Sequence, residues 1–167
     1  MTGDDLRQLV DYNYWARDRV LGAVAALTAE QFTRPLGSSF SSVRDTLVHA
    51  HSAEWVWHQR CVGQSPAKAL APEDVPDLAT LTAAWRDTEV QWRGYAGGLD
   101  AEGHLREIEY RQFNGQPARS PLWAIVQHVV NHGTYHRGQV TTLLRQLGAK
   151  GVGSDLIVYF RERKIAG

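Results

Sequence analysis

Proline inside a helix removes a hydrogen bond and clashes with the preceding turn, so Pro35, Pro66, Pro72, Pro76, Pro117 and Pro121 mark where long helices cannot run. They leave four long uninterrupted stretches. In the first, over about residues 4–27, Leu6, Leu9, Val10, Tyr14, Val20, Leu21, Val24 and Leu27 recur at three- and four-residue steps, with Asn13 set into the stripe. The second follows a loop around Pro35 and Gly37. Ser41 or Ser42 caps it, Asp45 favours its positive end, and Val43, Leu47, Ala50, Glu54 and Trp57 carry it to about residue 62. Residues 63–77 hold three prolines and no period, and read as a long surface crossover. A third helix over about 78–96 presents Leu81, Trp85, Thr88, Trp92 and Tyr95 as a core stripe and stops at Gly97-Gly98.

The stretch from Leu105 to Ser120 alternates only loosely, but Asn114-Gly115 predicts a small hairpin. Ser120 then reads as an N-cap and Pro121 as a first-turn residue of a fourth helix over 122–147, ended by Gly148. The apolar residues of the tail, 155–167, are expected to lay a short helix or extended piece over one end. The predicted fold is therefore all-α: a four-helix bundle with a long crossover between helices two and three and a small hairpin before helix four. One domain over residues 1–167 is the expectation, since a chain of 167 residues suffices for one core.

Composition narrows the function. Eighteen basic against eighteen acidic residues give no net charge, without the basic excess that nucleic-acid binding demands. Cys61, the single cysteine, can form no internal disulfide, and the amino-terminal residues mix acids and arginines with apolar ones. Neither a signal peptide nor a spanning helix is expected there, and the chain reads as cytoplasmic with no membrane partner.

Six of the seven histidines fall in two short windows: His49, His51 and His58 in the second helix, His128, His132 and His136 in the fourth. Residues four apart on a helix differ by about 40° and about 6 Å, so His132 and His136 can share one ion. His128 continues the row but lies about 12 Å from His136, too far for all three. A further ligand must come from helix two, where His51 and His58 point about 200° and 180° away from His49. His49 sits on the stripe with Leu47, Ala50, Ala53 and Trp57, whereas His51 and His58 have polar flanks, so His49 is the chosen third ligand. Three imidazoles on two helices suit a divalent transition metal with open positions for water or substrate. Spacing alone leaves an ordinary helical His pair equally open.

Around this set, Glu54 could orient an imidazole or take a proton, but reads first as a surface acid. Arg137 could meet an anionic substrate group or brace a neighbouring helix. Gln139 and Tyr135 are conceivable supporting donors, the six tryptophans read mostly as core or interface groups, and Cys61 reads as an inert buried thiol.

The segment NHGTYHRGQVTTLLRQLG, from Asn131, resembles the signature of the DinB/YfiT-like family of small metal-binding bundle proteins. TLVHAHSAEWVW at residues 46–57 resembles that family's second-helix motif, and YNYWARDRVL and SDLIVYFRER its opening and closing segments. The resemblance implies a four-helix bundle with a long crossover, commonly a homodimer, whose metal is held by histidines matching His49, His132 and His136. Zinc, nickel and iron all remain open. It further implies a metal-dependent enzyme acting on a small-molecule substrate, in the first place a thiol S-transferase using a low-molecular-weight thiol. A metal-dependent hydrolase and a non-catalytic, stress-associated metal-binding protein are the alternatives.

Overall fold

The computed structural model describes residues 1–164. Helix α1, Gly3–Val24, starts at a reciprocal cap in which the Thr2 hydroxyl accepts from the Asp5 N–H and the Asp5 carboxylate accepts from the Thr2 N–H. It stops short of the predicted residue 27. Thr28 and Gln31 build a second reciprocal cap there, which starts the short helix α2, Ala29–Thr33, and buries Phe32. Ser42 caps α3, Val43–Cys61, by accepting from the Asp45 N–H, and Asp77 caps α4, Leu78–Gly97, by accepting from the Thr80 N–H.

The strands β1, Glu107–Arg111, and β2, Pro117–Pro121, pair antiparallel with Tyr110 opposite Ala118, and Gly115 takes a left-handed φ of 81° in the turn. Ser120 and Pro121 thus differ from their predicted roles as cap and first-turn residue. Pairing with Ile108 and Glu107 holds both extended, and α5, Leu122–Gln146, begins only after them with no side-chain cap. Helix α6, Leu156–Glu162, packs on α1 and buries Tyr159 against Tyr12 and Trp15; residues 165–167 of the predicted tail lie outside the described residues.

Helices α1 and α3 each pack on both α4 and α5, so they face each other diagonally across a four-helix core. Leu6, Leu47, Leu81, Leu122, Leu143 and Leu144 are fully buried in it beside Trp85 and Trp92, and each such leucine contributes roughly 1.5–3 kcal/mol by leaving water. The crossover from α3 to α4 is tied down at two points. The Leu70 N–H donates to Ser52 Oγ, and the Arg111 N–H, from β1, donates to Ser65 Oγ. These ties place the hairpin over the C-terminal end of α3.

Candidate metal centre

Sandwiched between α5 and α4, α3 carries polar side chains into two different environments. On the α5 side, His49 meets His132 and His136. The Nε2 atoms of His49 and His132 lie 3.2 Å apart and those of His136 and His132 3.1 Å apart, and one ligand atom from each of the three falls within 4.8 Å of the others. Nitrogens about 2 Å from a shared ion lie roughly 2.9–3.4 Å apart for octahedral to tetrahedral angles, so the observed separations fit a common divalent ion. The set contains no carboxylate.

Each ring is held in place by its surroundings. The His136 Nδ1–H donates to Gln139 Oε1 at 2.7 Å, which leaves Nε2 as the lone-pair side. Phe40 stacks on His49 at 4.2 Å between centroids and meets His136 edge-on, closing one side of the trio. Burial lowers the pKa of all three rings. Repulsion from its three histidine neighbours adds to this at His132, which is brought down to about 4, while Gln139 opposes it at His136. The imidazoles are therefore neutral near pH 7, the form that binds metal.

His128 does not join the trio. Its exposed ring lies 5.6 Å from that of His132 and meets Trp57 edge-on at 5.3 Å. His51 and His58 do point away from His49, but not to a polar surface as their flanks suggested. Both are buried against α4, His51 with Nε2 at 3.0 Å from Thr88 Oγ1 and its ring near Trp85, His58 edge-on to Trp92 and Tyr95. The reason is that α3 is covered on both flanks, so no broad face of it is left to water.

Glu54 likewise corrects its reading as a surface acid: it is 1% exposed. Its Oε1 accepts from Asn13 Nδ2 at 2.9 Å and its Oε2 from Trp85 Nε1 at 2.8 Å, while the Trp92 indole donates to its main-chain carbonyl. Burial raises its pKa, opposed by these hydrogen bonds and by the charges of Arg137 and Arg17. Arg137 braces rather than reaches outward: Nη1 donates to Asn13 Oδ1 at 2.9 Å and Nη2 to Thr134 Oγ1 at 2.8 Å. Asn13 thus joins α1, α3 and α5, and Trp85 adds α4. A Cβ on Gly133 would lie 2.7 Å from Arg137 Nη1 and 3.0 Å from Asn13 Oδ1, so only glycine leaves room for this junction. The visible signal for Asn13 was its polarity within an otherwise apolar stripe. Phe40, in an irregular loop, gave none.

Cys61 is buried, and burial pushes its thiol up to about 12, which leaves it un-ionised near pH 7. Among the described residues no helix is long and apolar enough to cross a membrane.

Comparison with known proteins agrees with this architecture. The family model described as DinB family matches residues 1–164. Protein DinB of Bacillus subtilis (strain 168) is 26% identical over 159 residues, covering 91% of each chain. The crystal structure of a DinB-like protein from Bacillus cereus ATCC 10987 superposes with a TM-score of 0.66 at 17% identity, over 87% of this chain and 94% of the other, and so supports the fold.

Proposed function

This chain belongs to the DinB family, and from that premise we propose that it is a metal-dependent enzyme that joins a low-molecular-weight thiol to a small electrophile, with His49, His132 and His136 holding the ion. The carrying observation is the convergence of three imidazole ring nitrogens, two of the separations being 3.1 and 3.2 Å, with no carboxylate among them. Zinc, nickel or iron bound there would supply Lewis acidity, which favours the thiolate or hydroxide form of a coordinated molecule.

The chain's own residues supply the rest. Gln139 fixes the His136 tautomer and Phe40 shields one side. In the transfer a sulfur–carbon bond forms as the electrophile's bond from that carbon to its leaving group breaks, and the proton that the thiol gives up ends on the departing group. His128, beside His132 and open to solvent, has its pKa lowered by partial desolvation and by the Arg60 charge, and is placed to receive that proton on the way. The nucleophile is assigned to an outside thiol because the protein's own is buried and un-ionised.

Protein purified without an affinity tag should contain a stoichiometric transition metal, and the metal-loaded protein should conjugate a cellular thiol to a model electrophile. Conjugation unaffected by His132→Ala would overturn the assignment. Ester turnover with no thiol present would move it to hydrolysis, and inertness of the loaded protein in both assays would move it to a binding role.

A further inference from the structure

Three arginines are buried among the described residues: Arg17, Arg60 and Arg137. Arg17 forms ion pairs with Asp18 and Glu89, and Arg137 donates to Asn13 and Thr134. Arg60 is different. It is 7% exposed, its Nε has no partner, and its side chain makes no hydrogen bond or ion pair among the described residues. Its guanidinium carbon instead lies over three aromatic rings, at 4.6 Å from Trp57, 4.8 Å from Tyr110 and 5.3 Å from Phe113. Ring faces attract a cation but leave its N–H edge without acceptors.

Arg60 lines a cleft of about 530 Å³ between the C-terminal end of α3 and the hairpin, together with these three aromatic residues, Gln112 and Asn114, and with no carboxylate among the described residues. One wall of the cleft, Trp57, leads by ring contacts toward the histidine trio. Trp57 is in edge contact with His128, which lies next to His132, and the Arg60 charge acts on His128. A buried cation without a counter-ion is unfavourable until an anion arrives, and a planar fork between rings suits an oxyanion carried on a flat or apolar body.

We propose that this cleft is a binding site for the oxyanion of a small organic acid, carboxylate or phosphate, with Arg60 donating to it and Trp57, Tyr110 and Phe113 enclosing its apolar part. The claim that this acid is the substrate or thiol presented to the metal rests on the function proposed above; the site itself does not. A positively charged ligand is excluded by Arg60, and a neutral isostere leaves the guanidinium unpaired.

The test is calorimetric titration of the full chain with benzoate, phenyl phosphate and the neutral benzamide. One or both anions should bind at least about tenfold more tightly than benzamide, the margin of one charge-assisted hydrogen bond. The tighter of the two identifies the oxyanion. Arg60→Gln, checked for folding by circular dichroism, should remove that margin. His132→Ala should leave it, since an anion that merely coordinated the metal would show the reverse pattern. Equal binding of benzoate, phenyl phosphate and benzamide by the unaltered protein, or anion binding unchanged in folded Arg60→Gln, would overturn the site. Anion binding that persists in a protein inactive toward thiols would sink only the proposed reaction.

Discussion

Two polar clusters on α3, centred five residues apart in sequence at His49 and Glu54, end differently. Around Glu54 both carboxylate oxygens find donors, from Asn13 and Trp85, and Arg137 closes the group from α5. Around His49 three ring nitrogens instead face one another, Nε2 to Nε2 at 3.1 and 3.2 Å, and a single N–H on His132 can serve only one of its two neighbours. A buried polar group normally has a partner. The closed cluster therefore accounts for itself as a clamp on four helices, and the open one needs something that arrives from solution.

Breaking the closed cluster should cost the most. Glu54→Ala leaves Asn13 Nδ2 and Trp85 Nε1 buried without acceptors, and is expected to destabilise the protein by about 3–5 kcal/mol in urea unfolding. Glu54→Gln should fail to rescue it fully, because an amide NH₂ would face a donor. A loss under about 1 kcal/mol for Glu54→Ala would show that the cluster is not a clamp. The open cluster should respond in the opposite way. His132→Ala is expected to weaken metal binding by more than about a hundredfold, roughly 3 kcal/mol, and to change the stability of the chelated protein by under about 1 kcal/mol. Metal affinity unchanged in that variant would remove the distinction between the two clusters.

The contrast was only half legible in the sequence. Proline placement and three-to-four-residue periodicity mark the four long helices, since both follow from local backbone geometry. The facing of His49, His132 and His136 follows from helical direction once two helices are adjacent. What local pattern cannot show is how many neighbours a helix has. α3 has packed neighbours on two flanks, so Glu54, His51 and His58, polar by type, lie inside. The role of Asn13 also depends on partners 41 and 124 residues away. Ser120 and Pro121 carried a good helix-start pattern, and strand pairing overrode it.

His51, one of the two buried histidines on the α4 flank, gives a smaller effect, through pH. Burial, with the Arg17 charge, brings His51 down to about 4, against an unfolded value near 6.5. As pH falls through 6.5 the unfolded chain takes up the proton first, so stability is full above about 6.5 and declines until about pH 4. The difference corresponds to about 3 kcal/mol at most. Urea unfolding of the chelated protein at pH 7.5 and 4.5 should show this decline, and His51→Gln should flatten it by about that amount. An unchanged slope would mean that His51 titrates normally in the fold.

The finest adjustment of the open cluster lies at Gln139, which touches only the far nitrogen of one ring. Gln139→Leu removes the acceptor that holds the His136 Nδ1–H, so the ring can rotate or exchange tautomers, and metal affinity should fall by about tenfold, or about 1.4 kcal/mol. Gln139→Glu should act in the opposite direction, because a carboxylate accepting from Nδ1–H makes Nε2 more basic and binds the ion more tightly. Neither change should move the melting temperature of the chelated protein by more than a few degrees, since Gln139 is only half-buried and joins no other helix. Two variants with opposite signs in affinity and no change in fold would show that the trio is tuned as a ligand set. Equal loss of affinity in both would show instead that Gln139 acts through packing alone.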